Sequence, residues 1–188
     1  RVLFRSITGI QRATIEIATR LINCPDCEVI PIYYNASKNI FYKISSKSFV
    51  DYYAGHKGKK EKMITKETVS LSDMGEGTIF FDLDGAWMGR IKRSYLLPIL
   101  KKQGCKIVAH IYDIISITHP QYCHENTVMH FIEYLGATLQ YADKLIVNTQ
   151  ATADQISMVC ERMERKMPPY VVAPLGCDFK KPDTNIVP

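Results

Sequence analysis

The residues best suited to chemistry stand at the ends of short apolar runs. "TIFFDLDGAW" follows its aromatic pair with Asp82 and Asp84, then Gly85 and Trp87, the chain's single tryptophan. Two carboxylates two residues apart at a strand end can divide nucleophilic attack and proton transfer between them. "KIVAHIYDIISITHP" likewise leads to Asp113, with His110 and Tyr112 just before it. A carboxylate there can orient a hydroxyl or offset a developing positive charge, and an imidazole can exchange a proton. Three further segments have the same placement: "SITGIQR" with Thr8, Gly9 and Arg12, "LIVNT" with Asn148 and Thr149, and "VVAPLGCDF" with Gly176. One glycine before a helix lets backbone N–H groups meet an anion or a sugar hydroxyl. A dinucleotide site asks for three glycines and an acid about twenty residues later, and this turn offers Gly9 alone.

Positioning these groups falls to elements that the hydrophobic pattern marks out. Ile10, Ala13, Ile17, Ala18 and Leu21 recur at three- and four-residue steps, which predicts an amphipathic helix over 10–22. "RVLF" before it is at most a strand stub. "EVIPIYY" reads as a buried strand, with "IFYKI" as its partner or an excursion, and 45–76 reads as polar loops around a short helix at 49–53. Next come a strand at "TIFF" and a helix at "RSYLLPILKKQG", which ends at Gly104 with lysines suited to the helix dipole. The rest alternates: "KIVAHIYDI" strand, "TVMHFIEYLGATLQYA" helix, "DKLIVNT" strand, "ATADQISMVCERM" helix, "YVVAP" strand. Short apolar strands between longer helices predict an α/β fold, a doubly wound Rossmann-like parallel sheet with helices on both faces. Ligands of such sheets bind beyond the carboxyl ends of the strands, where the residues above are expected to lie. Asp113 can also serve as a turn cap, His110 and Trp87 as core residues, Arg12 as a surface charge, and Asn148 with Thr149 as a helix cap.

Composition narrows the class. With 188 residues, 46% of them hydrophobic, the chain supports one domain over 1–188. No apolar run approaches the roughly 20 residues a membrane-spanning helix needs. The net charge of +5 is concentrated in "HKGKKEK" and in the "GRIKR" and "KK" pairs around 96–100. A solvated loop and a polar helix face account for these, with an anionic phospholipid surface as the second reading; no nucleic-acid signature accompanies them. Six dispersed cysteines read as reduced thiols of a cytoplasmic protein. The "CPDC" pair, Cys24 and Cys27, reads as a surface turn, because no second pair follows to complete a metal site.

Two families enter through these motifs. The Asp82, Asp84, Gly85 pattern resembles the haloacid dehalogenase-like phosphatases, in which the first aspartate is phosphorylated. Thr149 could supply that family's later strand-end hydroxyl, but the paired acids it uses for magnesium have only Asp178 here. The set as a whole resembles the N-terminal domain of glycosyltransferase family 4, of GT-B fold, and its bacterial O-antigen and capsular polysaccharide members, many of them mannosyltransferases. "TGIQRATIEIATRL", "TIFFDLDGAW", "KIVAHIYDIISITHPQYC", "YADKLIVNTQATADQI" and "YVVAPLGCDF" carry the likeness in order along nearly the whole chain.

That second resemblance implies the acceptor-side half of a retaining hexosyltransferase. It would use neither metal nor cofactor, would take a nucleotide sugar as co-substrate, and would be inactive without a C-terminal donor domain absent from this chain. Asp113 is the expected catalytic residue. Thr8, Gly9, Arg12, Asp84, Trp87, His110, Tyr112, Asn148 and Gly176 are the expected substrate contacts. Many relatives have histidine immediately before the aspartate, where this chain has Tyr112. The implied partners are the donor and a glycan or lipid-linked acceptor, without nucleic acid, and the implied place is the cytoplasm, at the inner face of the membrane. A non-catalytic glycan-binding module of the same fold is the competing class.

Overall fold

A computed structural model describes residues 9–53, 63–84, 87, 89 and 91–176. "RVLF", Thr8, the basic run at 56–62 and Cys177 lie outside the described residues. Helix α1 (Gly9–Ile22) is followed by β1 (Ile32–Asn35), β2 (Ile40–Ile44), α2 (Ser46–Tyr53) and β3 (Ile64–Val69). Then come β4 (Ile79–Asp82), α3 (Arg93–Lys102), β5 (Lys106–Ile111), α4 (Ile115–Thr118), α5 (Glu125–Tyr141), β6 (Lys144–Val147), α6 (Gln150–Arg162) and β7 (Tyr170–Val172).

The fold is α/β, with a four-stranded parallel sheet in the order β4-β5-β6-β7 flanked by helices. Strands adjacent in both sequence and space, joined by right-handed crossovers, put their connecting helices on one side, and the cores follow that rule. Ala109, Ile111, Leu145 and Val147 pack with Phe131, Tyr134, Leu135 and Leu139 of α5 and with Ala153 and Ile156 of α6. Ile107 and Phe80 pack with Leu96, Leu97 and Leu100 of α3. The alternate residues of the same strands point the other way. There Ile79 is 67% exposed and Val171 44% exposed.

The first half corrects two expectations. "EVIPIYY" and "IFYKI" do not join the parallel sheet: β1 and β2 pair antiparallel, and β3 adds to β2, in a separate three-stranded sheet. Within the segment expected to be loops, "ITKETV" forms β3 and α2 begins at Ser46. Most of β3's side chains are exposed or half-buried, so no apolar alternation marked it. The expected solvated face of α3 is also corrected at one position, because Arg93 is buried.

The end of α3 follows its sequence signal closely. Gly104 takes φ +84 and the Cys105 N–H returns to the Leu100 carbonyl, with Gly104 N–H on Lys101, the Schellman arrangement that satisfies the last carbonyls. Lys101 holds both oxygens of Asp143 at 2.8 and 2.9 Å, and Asp143 also accepts from Ile107 N–H, tying α3 to the starts of β5 and β6. No helix among the described residues is long and apolar enough to cross a membrane.

Candidate functional site

The carboxyl ends of β4 and β5 meet α1, α4 and α5 in a small cleft. It is lined by Ile10, Trp87, His110, Ile111, Tyr112, Asp113, Ser116, Phe131 and Tyr134. Its volume of about 90 Å³ is well below the roughly 300 Å³ of a pocket that encloses a small molecule. As it stands, the cleft is one wall of a site.

Parallel register builds its polar side. Ile111 pairs with Val147, so Tyr112 and Asn148 emerge side by side just past the strands. The Asn148 amide is fixed between two neighbours. Its Nδ2 donates to the Tyr112 carbonyl at 3.3 Å and its Oδ1 faces His110 Nε2 at 2.8 Å. A carbonyl can only accept, so the amide nitrogen must face it. His110 Nε2 is therefore the protonated nitrogen, donating to Asn148.

The imidazole is 2% exposed and stacks on the Tyr112 ring at 4.2 Å between centroids. Burial lowers its pKa, with the Asn148 bond opposing, which favours a neutral ring. Its Nδ1 is buried with no hydrogen-bond partner among the described residues. An orphaned buried acceptor costs about 1–3 kcal/mol. Tyr112 hydroxyl in turn donates to the Leu83 carbonyl at 3.2 Å, and Thr14 of α1 lies 3.1 Å from it. Because that phenol proton is committed to Leu83, Thr14 is the donor in the second contact. Burial raises the Tyr112 pKa, so the phenol stays protonated.

Asp113 is exposed at the cleft's mouth. Its Oδ1 accepts from Ile115 N–H at 3.1 Å, so the expected turn cap and the expected site residue are the same carboxylate. Trp87 is half-buried, its ring 5.4 Å from Phe131 and 6.2 Å from Tyr134, edge-on to the first and tilted to the second. It is partly core and partly cleft wall.

Asp82 and Asp84 belong to a different, buried cluster. Arg93 grips both oxygens of Asp82, Nε to Oδ2 at 2.5 Å and Nη2 to Oδ1 at 2.8 Å, and Asp82 is 3% exposed. Burial opposes the guanidinium charge, but Asp82 more than offsets it, and the Arg93 pKa is raised. An aspartate held on both oxygens in this way is an ion pair, not a group presented for attack. Asp84 is half-buried beside it, and its carboxyl is raised above the ordinary range first by burial and then by Asp82. Tyr134, whose pKa is pushed well up first by burial and then by Asp82, lines the cleft and feels the charges of this cluster.

The remaining expected contacts do not converge. Arg12 is exposed on α1 and outside the cleft lining, as is Gly176 beyond β7. Around Gly9 an added Cβ would meet nothing within 4 Å among the described residues, so none of them requires glycine there. Thr149 is the N-cap of α6, accepting from Thr152 N–H at 3.1 Å. Cys24, Cys27, Cys105, Cys123 and Cys160 are free thiols. Among the described residues, no group of three or more His, Cys, Asp and Glu side chains is placed to hold a metal ion.

Sequence reasoning missed Phe131, Tyr134 and Ser116 in the lining, Thr14 as the support of Tyr112, and Arg93 as the partner of Asp82. The aromatic pair sits at three-residue spacing on the buried face of α5, where it reads as core. No known protein family, curated protein or solved structure matches the chain.

Proposed function

We propose that the chain is the acceptor-side domain of a retaining GT-B glycosyltransferase, doubly wound in the Rossmann manner, that transfers a hexose from a nucleotide sugar to a glycan or lipid-linked acceptor. The observation that carries this reading is the convergence of Asp113, His110, Tyr112 and Trp87 on one shallow cleft at the carboxyl edge of a parallel sheet. Such edges are where sheets of this class bind ligands. Thr14 of α1 reaches the Tyr112 hydroxyl and Tyr112 stacks on His110, so α1 bears on the same strand end. A shallow wall suits a site completed by a second domain. That domain would hold the nucleotide.

In this reading the acceptor hydroxyl attacks the anomeric carbon as the bond to the nucleoside diphosphate breaks, and the hydroxyl proton passes to the leaving phosphate oxygen. Asp113 orients the acceptor O–H and offsets positive charge on the sugar. Trp87 and Tyr112 bound the sugar with apolar ring surface. The O-antigen and capsule setting, mannose as the sugar, and a station at the inner membrane face extend the same resemblance.

The test is release of nucleoside diphosphate by the full-length protein across a panel of sugar nucleotides, with and without chelator. Asp113→Ala should lower kcat/KM by roughly 10²-fold or more while leaving the melting temperature within a few degrees. Unchanged turnover in that variant would remove Asp113 from the site. The phosphatase reading predicts instead magnesium-dependent phosphate release that Asp82→Asn abolishes, and the grip of Arg93 on Asp82 weighs against it. The module reading predicts glycan binding with no release.

A further inference from the structure

The geometry points to a hydrogen-bond-acceptor subsite for a ligand hydroxyl at His110 Nδ1, with Asn148 as the positioning residue that sets the histidine tautomer. The chain of constraint starts at a backbone group. The Tyr112 carbonyl accepts from Asn148 Nδ2, which turns Asn148 Oδ1 toward His110 Nε2 at 2.8 Å. That oxygen requires a proton on Nε2, and a neutral imidazole then carries its lone pair on Nδ1. His110 is one of the residues around the cleft, is 2% exposed, and its Nδ1 is buried without a partner among the described residues. Stacking on Tyr112, itself tied to Leu83 and Thr14, keeps the ring from turning to find one.

A lone pair fixed in this way selects a donor. It accepts from an O–H or N–H and repels a carboxylate or phosphate, and on the transferase reading the donor is a hydroxyl of the sugar. Asn148 therefore acts through His110 and does not touch the ligand. The identity of the ligand as a sugar rests on the transferase reading; the tautomer does not.

Imidazole nitrogen resonances of the ¹⁵N-labelled chain report both halves, with His110→Gln identifying the His110 signals. At neutral pH, Nε2 should resonate as a protonated nitrogen and Nδ1 as an unprotonated one, and Asn148→Leu should give mixed tautomers. Titration with methyl α-D-mannopyranoside should then move Nδ1 toward its hydrogen-bonded range together with the Trp87 indole N–H signal. A proton on Nδ1 in the unliganded chain would overturn the assignment outright. If Trp87 moves and Nδ1 does not, the sugar site stands and the His110 subsite falls. If neither moves, the hydroxyl subsite and the sugar reading both fall, whatever the tautomer.

Discussion

Asp82 and Arg93 are buried together at 3% and 6% exposure, and burial sets the energetics of the pair. Removing one partner leaves the other charge unpaired in a poorly polarisable surrounding, a loss of about 3–5 kcal/mol. Asp82→Asn should lower stability in urea by roughly that amount, whereas the paired change Asp82→Leu with Arg93→Met should cost much less. Equal losses in both proteins would mean that packing, not charge, holds this cluster. Asp84 carries the opposite sign of pH dependence from a salt-bridged acid. Its folded pKa lies above the ordinary value of 3.8, so the folded chain binds the proton more tightly than the unfolded one. Its contribution is fully present below the unfolded pKa and is lost as pH rises through the folded one. Asp84→Asn should therefore raise the melting temperature at neutral pH and flatten its decline as pH rises above the unfolded value of 3.8, as thermal melts from acid to neutral pH would reveal. At this scale the sequence was half legible. The place of His110 and Asp113 at the end of β5 was readable from the apolar run before them, while the pairing of Asp82 with an arginine eleven residues on had no local signal.

The elements that hold the site are anchored at their ends. Thr149 caps α6 on Thr152 N–H, and Thr149→Ala should cost about 1 kcal/mol, measurable by denaturation. Gly104, at φ +84 with Glu76 3.4 Å from an added Cβ, should tolerate alanine less well than an open helix position does. These ends were readable because Gly, Thr and Lys mark helix termini through local hydrogen bonding. The strand β3 was not, since "ITKETV" keeps most of its polar residues exposed and is held by pairing with β2, a partner twenty or more residues earlier. The apolar face of α3 is almost fully buried. Leu97, 1% exposed between the sheet and α5, should lose about 2–5 kcal/mol as Leu97→Ala.

Across the whole molecule, the parallel sheet brings Asp113, His110 and Tyr112 to one edge and α5 supplies Tyr134 and Phe131 from behind. Alternating strands and helices made the parallel sheet and its carboxyl edge legible. The antiparallel sheet of the first half was not, because a strand's own composition says little about which sheet it joins. Gly9, Arg12 and Gly176, expected from the resemblance, stand apart from the cleft, and contacts to them would have to come from a ligand or a facing domain. The direct test of sugar transfer at this edge is chelator-resistant release of nucleoside diphosphate by the full-length protein, compared with its Asp113→Ala variant. The account predicts release with one donor and a fall of roughly 10²-fold or more in the variant. Release that survives Asp113→Ala undiminished, or magnesium-dependent phosphate release abolished by Asp82→Asn, would contradict it.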